Sequence, residues 1–281
     1  MADSGGPRGD GSDRPTVAVL GAGKLGEILV AALLRAGWPV DRLRAGSRRP
    51  ERSAELAGAY GIRAGAAGDV VSGADVAVVA VKPQDAGPLL AEIAPRLRPG
   101  ALVVSAAAGL ATSWFAARLP AGTPLVRVMT NTPARIGEGM SALSAGPHAT
   151  AAHLEVVEAI LAPLGRSIRV PESQQDAVTA LSGSGPAYFF YLVEAMTDAG
   201  ILLGLPRQVA HDLIVQTAVG SAVLLRDSGE HPVALREAVT SPAGTTISAI
   251  RTMEDHGVRA AMLAALEAAR DRAREIARDA G

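Results

Sequence analysis

The 281-residue chain carries 27 basic against 28 acidic side chains, a formal net charge of −1, and is 48% hydrophobic and 20% charged. That balance describes a folded protein long enough for two domains, and it excludes a lone peptide, a disordered chain and a binder of nucleic acid driven by charge. The absence of cysteine removes disulfides, thiolate metal sites, iron–sulfur clusters and cysteine nucleophiles, and with Lys24 and Lys82 as the only lysines, no lysine chemistry is available beyond residue 82.

Met1 to Pro15 is polar and glycine-rich, lacks the apolar core of a secretory signal, and reads as a disordered tail. The apolar runs that follow are of strand length, such as Val76 to Val81, and none is read as approaching the ~20 residues that cross a bilayer. A cytoplasmic protein with no membrane partner is expected. From Thr16 the pattern alternates. Residues 16–20, 43–46, 75–81, 101–109 and 124–129 read as buried parallel strands, and 24–36, 50–60, 85–97 and 112–118 as helices. Such alternation predicts a Rossmann-like, doubly wound α/β domain over 16–171, closed by a helix at 150–162 and a strand near 167–170. Beyond Pro171 the strand signals stop. Segments 172–181, 186–203, 206–228, 232–239, 243–253 and 257–279 favour helix, so 172–281 is expected to be an all-α domain. Its Ala-rich helices carry several apolar faces, which suit burial against another chain or within a monomeric bundle.

Gly21-Ala22-Gly23-Lys24-Leu25-Gly26 directly follows the first strand and opens a helix, the setting in which a GxGxxG sequence has physical meaning. The first glycine permits the tight turn, the second admits a pyrophosphate to the backbone, and the third allows close helix packing. At the end of the second strand, where an NAD enzyme places an acid, stand Gly46-Ser47-Arg48-Arg49. A hydroxyl and two guanidiniums there favour the 2′-phosphate of NADPH over NADH; the alternative is that these arginines are surface charges in an arginine-biased chain, as Glu51 and Arg52 beside them look to be. Two further strand ends, Ala80-Val81-Lys82-Pro83 and Ser105-Ala106-Ala107-Ala108-Gly109, offer small residues for close approach of a cofactor. Lys82 either helps to hold a ligand or solvates its strand end. Asn131, in Thr130-Asn131-Thr132-Pro133, either orients a nicotinamide or a water, or caps the turn before proline.

With Leu181-Ser182-Gly183-Ser184-Gly185-Pro186-Ala187-Tyr188, Glu194-Ala195-Met196-Thr197-Asp198-Ala199-Gly200, Gly204-Leu205-Pro206 and Val239-Thr240-Ser241-Pro242-Ala243-Gly244-Thr245-Thr246, the sequence resembles pyrroline-5-carboxylate reductase. The resemblance runs from Thr16 to about Ile276. It implies reduction of 1-pyrroline-5-carboxylate to L-proline by hydride transfer from NADPH, or NADH, the last step of proline biosynthesis. It also implies a homodimer built by the helical domain, often assembled into larger rings, with the small-molecule substrate bound near the partner chain. By position, Ser241, Gly244, Thr245 and Thr246 would bind the substrate, with Thr246 catalytic near the imine nitrogen. Gly21, Ala22, Gly23, Lys24, Leu25, Gly26, Ser47, Arg48, Arg49, Ala80, Val81, Lys82, Pro83, Ala106, Ala108 and Asn131 would bind the cofactor. Ala243 stands where the family commonly has glycine, and Ala67 and Ala238 where some members have asparagine near the cofactor.

The chemistry agrees with the resemblance. An imine can arrive protonated, so its reduction needs a positioned hydride donor and a carboxylate pocket rather than a strong acid. No metal is expected. None of His148, His153, His211, His231 and His256 lies in a motif, and Thr246 is read as a hydrogen-bond donor or proton relay that doubles as an N-cap. Ser184 and Pro186 are read as helix-starting residues. Three alternatives are open. A 3-hydroxyacid dehydrogenase shares the two-domain plan but would want a lysine in the helical half. A nucleotide sensor would bind NADPH without turnover. A reductase of other cyclic imines differs by a methylene, which changes binding by only ~1–3 kcal/mol.

Overall fold

The computed structural model describes residues 14–279, so most of the tail expected over 1–15 lies outside the described residues. The strands β1 (Val17–Leu20), β2 (Leu43–Gly46), β3 (Arg63–Gly65), β4 (Val76–Val79), β5 (Leu102–Ser105), β6 (Leu125–Met129), β7 (Gly139–Ala145) and β8 (Gly165–Arg169) form one sheet. Their order is β3-β2-β1-β4-β5-β6-β7-β8. The first six pair in parallel, β7 runs antiparallel to β6, and β8 is parallel to β7.

The sheet is covered on both faces because alternate residues of each strand point to opposite sides. Val17 and Val19 of β1, with Val76 and Val78 of β4, pack against α1 (Lys24–Arg35), α2 (Pro50–Tyr60) and α6 (Ala151–Leu161) through residues such as Leu29, Leu33, Leu56 and Ile160. Ala18 and Leu20, with Ala77 and Val79, belong to the other face, where α3 (Ala67–Val71), α4 (Pro83–Ile93) and α5 (Thr112–Ala116) supply Val70, Leu90, Ile93 and Phe115. Each fully buried large side chain stabilises the fold by ~1.5–3 kcal/mol relative to exposure. This is the doubly wound domain the sequence predicts.

Three elements were not legible. β3 and α3 are short, and β7 has the sequence GMSALSA, whose small residues carry no apolar alternation. The strand at Gly165–Arg169 begins earlier than expected.

After β8 the chain is helical: α7 (Gln175–Val178), a π turn at Thr179–Gly183, α8 (Gly185–Leu202), α9 (Arg207–Ser228), α10 (Pro232–Ala238), α11 (Thr245–Asp255) and α12 (Val258–Asp279). Two compact units result: the chain up to Gly183 together with the segment from Arg270, and Ser184–Ala269. The change of secondary structure falls near Pro171, but the first unit keeps the next turns for a physical reason. Glu172 accepts hydrogen bonds from the Thr112 amide (2.6 Å) and hydroxyl and pairs with the buried Arg127 of β6 at 3.3 Å. Gln175, fully buried, donates to the Ala142 carbonyl at 3.3 Å and to the Ser144 hydroxyl at 2.8 Å.

In the second unit α8 starts as expected, with Ser184 as N-cap and Pro186 in the first turn. It packs on α9 where Gly200 meets Ala210: a Cβ on Gly200 would lie 2.8 Å from that of Ala210. Much apolar surface is left open, and Phe189, Phe190 and Tyr191 are about two-thirds exposed (66%, 67% and 71%). One expectation needs correcting here. Among the described residues α9 is long and apolar enough to cross a membrane by length and composition, although its sequence includes Asp212 and Gln216.

Candidate functional site

The crevice of a doubly wound sheet opens at the carboxyl ends of the strands where the order reverses, here between β1 and β4. The Gly21 amide donates to the Gly46 carbonyl at the end of β2 (3.0 Å), and the Ala80 amide donates to the Leu20 carbonyl (2.7 Å), so three strand ends meet at the glycine-rich turn. Gly21 has φ +109°, and a Cβ on it would lie 2.6 Å from both the Ala80 carbonyl oxygen and Val81 Cγ1. A Cβ on Gly26, inside α1, would lie 2.1 Å from the Gly21 carbonyl oxygen. A Cβ on Gly23, the N-cap of α1, would meet nothing within 4 Å. The first and third glycines therefore interlock turn and helix, and the second leaves backbone open at a helix N-terminus, the cradle that a pyrophosphate fits.

A cleft of about 470 Å³ opens on this turn. The structure brings Gly21, Ala22, Gly23, Ser47, Arg48, Arg49, Ala80, Val81 and Lys82 together in its lining, as the sequence predicts. Lys24, Leu25, Gly26 and Pro83 lie outside that lining, as the opening residues of α1 and α4. Ala106 and Ala108 also lie outside that lining and follow β5, where the Ala106 amide donates to the Val79 carbonyl at 2.9 Å. Asn131 is placed differently. Its Nδ2 donates to the Ser182 carbonyl (3.2 Å) and its Oδ1 accepts from the Met140 amide (3.0 Å), so it ties β6, β7 and the π turn together. Its side chain caps no helix.

Sequence reasoning missed or misread several residues in and beside the cleft, among them Asp85, Glu92, Ala67 and Arg52. Asp85, in the first turn of α4, forms an ion pair of 2.9 Å with the exposed Arg48, so a 2′-phosphate would share or displace that carboxylate. Pro83 at the start of α4 was the available signal, since an acid in the first turn of a Pro-initiated helix complements its dipole. Glu92 accepts from the Gly68 amide at 2.8 Å, and Ala67, noted only for the asparagine it lacks, also lines the cleft. Arg52 is not a solvated charge: its side chain is only 20% exposed and pairs with Glu27 and Glu55. Hydrogen bonds to Glu55 and then Glu27 raise its pKa further, while burial, followed by the bond to Glu27, raises that of the Tyr60 phenol.

The second candidate region lies in the helical unit. Ser241-Pro242-Ala243-Gly244 is a turn closed by the Gly244 amide donating to the Ser241 carbonyl at 3.1 Å, with Ala243 at φ +55°. Proline second and a positive φ third is the pattern of a type II turn, whose third position favours glycine. Alanine there costs ~1 kcal/mol or more. Ala243→Gly is therefore expected to leave the melting temperature equal or raised, although Ala→Gly elsewhere loosens the unfolded chain and lowers stability by ~0.5–1 kcal/mol; a drop of several degrees in a thermal melt would contradict the strained turn. Gly244 is the N-cap of α11, Thr245 its first residue and Thr246 its second. This corrects the expectation of Thr246 as N-cap, because the chain reaches helical geometry earlier. Thr246 is half-buried, and Ser241 and Thr245 are exposed.

The histidines have structural roles where roles are seen. His153 completes a capping box with Thr150, His231 caps α10 by accepting from the Val233 amide at 3.3 Å, and His256 ends α11. Ala238 closes α10.

Comparison with known proteins covers both halves of the chain. Residues 172–276 match the family model described as pyrroline-5-carboxylate reductase dimerisation, and residues 16–109 match the model NADP oxidoreductase coenzyme F420-dependent. The chain is 43% identical to pyrroline-5-carboxylate reductase of Mycobacterium tuberculosis, over 92% of this chain and 96% of that one. Among solved structures it is similar to a pyrroline-5-carboxylate reductase from Coxiella burnetii, with TM-score 0.90 and 31% identity over 94% of this chain and 99% of the other. It is also similar to pyrroline carboxylate reductase of Plasmodium falciparum with NADP bound, with TM-score 0.83 and 25% identity over 94% and 98%.

Proposed function

The chain belongs to the pyrroline-5-carboxylate reductase family, so it is an NAD(P)H-dependent oxidoreductase of proline biosynthesis, and we propose that its dinucleotide cleft and the Ser241–Thr246 turn carry out the reduction of 1-pyrroline-5-carboxylate to L-proline. The observation that carries this reading is the interlock of Gly21 and Gly26 around an unobstructed Gly23 at the β1–β4 crevice. When bound, NAD(P)H supplies a hydride to the imine carbon.

Everything else falls to the chain. Backbone amides at the start of α1 hold the pyrophosphate. Ser47, Arg48 and Arg49 at the end of β2 favour the 2′-phosphate and hence NADPH over NADH. The small residues Ala80, Val81, Ala106 and Ala108 would leave room for the rest of the cofactor, with Lys82 and Pro83 beside them. Asn131 acts indirectly, by fixing the β6–β7 turn through Ser182 and Met140, in place of the direct cofactor contact read from sequence.

At the second region, amides at the N-terminus of α11, from Gly244 through Thr246, take the substrate carboxylate, with the Ser241 and Thr245 hydroxyls beside them. The Thr246 hydroxyl donates to, or relays a proton toward, the imine nitrogen, and no general base is needed. The helical half joins a second copy of the chain through its exposed apolar faces, giving a homodimer that can assemble further into rings. A cytoplasmic location belongs to the same proposal.

The test is oxidation of NADPH by the purified protein with and without 1-pyrroline-5-carboxylate. Imine-dependent oxidation with L-proline as product is expected, and Thr246→Ala should lower kcat by about 10²-fold while leaving cofactor affinity unchanged. An unaltered kcat would remove Thr246 from the mechanism. NADPH binding without oxidation would move the protein to the sensor reading.

A further inference from the structure

Arg52 lies outside the cleft lining, yet it is tied to the turn that forms the cleft's floor. Its Nε donates to the Ala22 carbonyl at 3.0 Å, one terminal nitrogen donates to Glu55 on its own helix at 2.9 Å, and the other pairs with Glu27 of α1. Glu27 is itself held by the Tyr60 hydroxyl, which donates to it at 3.1 Å. The guanidinium thus spans α2, α1 and the glycine-rich turn.

We infer that Arg52 is a positioning residue for the cofactor: by holding the Ala22 carbonyl on the side of the turn away from the cleft, it aims the Gly23 amide into the cleft at the pyrophosphate. In a trans peptide the carbonyl and the following N–H point in opposite directions across one rigid plane. Fixing one end therefore fixes the other. The lock matters at this position because Gly23 carries no Cβ, and one placed there would meet nothing within 4 Å, so no side chain restrains rotation of the peptide plane before it. The glycine that admits the phosphate needs an external clamp, and the planar guanidinium supplies one that a lysine, with a point charge, cannot reproduce. Because α2 also begins directly after Arg49, the same contact sets the spacing between the pyrophosphate side of the cleft and its 2′-phosphate side.

The inference rests on the reading of the cleft as the NAD(P)H site, and it makes a prediction that separates Arg52 from its arginine neighbours. The pyrophosphate is common to both nucleotides and the 2′-phosphate belongs to NADPH alone. In the full-length protein, Arg52→Gln is expected to raise Kd for NADPH and for NADH by the same factor, roughly tenfold, as the loss of a charge-assisted contact would. The kcat at saturating cofactor should stay within about twofold of the parent. Arg48→Ala should weaken NADPH only, and Glu55→Gln, which leaves the bonds to Ala22 and Glu27 in place, should change neither. Glu27→Gln provides a second arm should Arg52→Gln fold poorly: it removes the charged anchor on α1 and should weaken both nucleotides equally, by a smaller factor.

Unchanged affinities in Arg52→Gln would overturn the inference, as would a loss confined to NADPH, which would make Arg52 a reader of the 2′-phosphate. If the parent protein bound neither nucleotide, the reading of the cleft would fall and the role of Arg52 with it.

Discussion

Gly26→Ala is expected to destabilise the first unit by ~3 kcal/mol or more and to abolish measurable NADPH binding. The added methyl would stand 2.1 Å from the Gly21 carbonyl oxygen and 3.2 Å from Val19 Cγ1. The nearer obstacle is backbone, which cannot rotate away as a side chain can, so α1 and the turn must separate. Gly23→Ala is the matching contrast. Its Cβ meets nothing in the protein and its φ of −76° suits any residue, so the melting temperature should be almost unchanged. The methyl would nevertheless occupy the place where a pyrophosphate approaches, and Kd for NADPH should rise by about 10²-fold or more. Thermal melts and nucleotide titrations of the two variants check both statements; a Gly23→Ala protein with normal affinity would remove the pyrophosphate from this turn.

The second large effect is expected from the helical unit. Val219 on α9 is 53% exposed and lines an apolar groove of about 590 Å³ with Phe189, Phe190, Val193 and Val215. Exposed apolar surface gathered in this way suits the homodimer proposed above. Val219→Asp places a carboxylate where the proposed partner copy packs, and an unpaired charge in such an interface costs several kcal/mol. Sedimentation should give a dimer or larger for the parent and a monomer for the variant, with turnover reduced at least 10²-fold. A fully active monomer would contradict an active site that depends on the dimer.

How far the sequence reveals these features depends on the range of the forces that make them. β1, the glycine-rich turn and α1 are legible because each follows from neighbours in the chain: a buried apolar run, glycines at fixed offsets, a helix opening at once. β7 is not, since GMSALSA becomes a strand through its partners, antiparallel to β6 and parallel to β8. There Gly139 and Gly165 lie so close that a Cβ on Gly165 would be 2.1 Å from the Gly139 carbonyl oxygen. The same contrast runs through the site. Ser47, Arg48 and Arg49 are found by position after a strand, whereas Arg52 passes for a surface charge because its role depends on Ala22, 30 residues earlier. Asn131 reads as a cofactor contact or a turn cap, and its link to Ser182, 51 residues on, carries no local signal. Ala243 is an intermediate case: its place in a Ser-Pro-Ala-Gly turn is legible, but only the folded backbone gives its positive φ.

The most direct test of the central claim is hydride transfer itself. Incubation of the protein with 1-pyrroline-5-carboxylate and NADPH carrying deuterium at both positions of nicotinamide C4 should yield L-proline with a single deuterium on the former imine carbon, read as a mass increase of one unit by mass spectrometry. L-proline without the label, or no L-proline from a protein that binds both NADPH and the imine, would contradict the account.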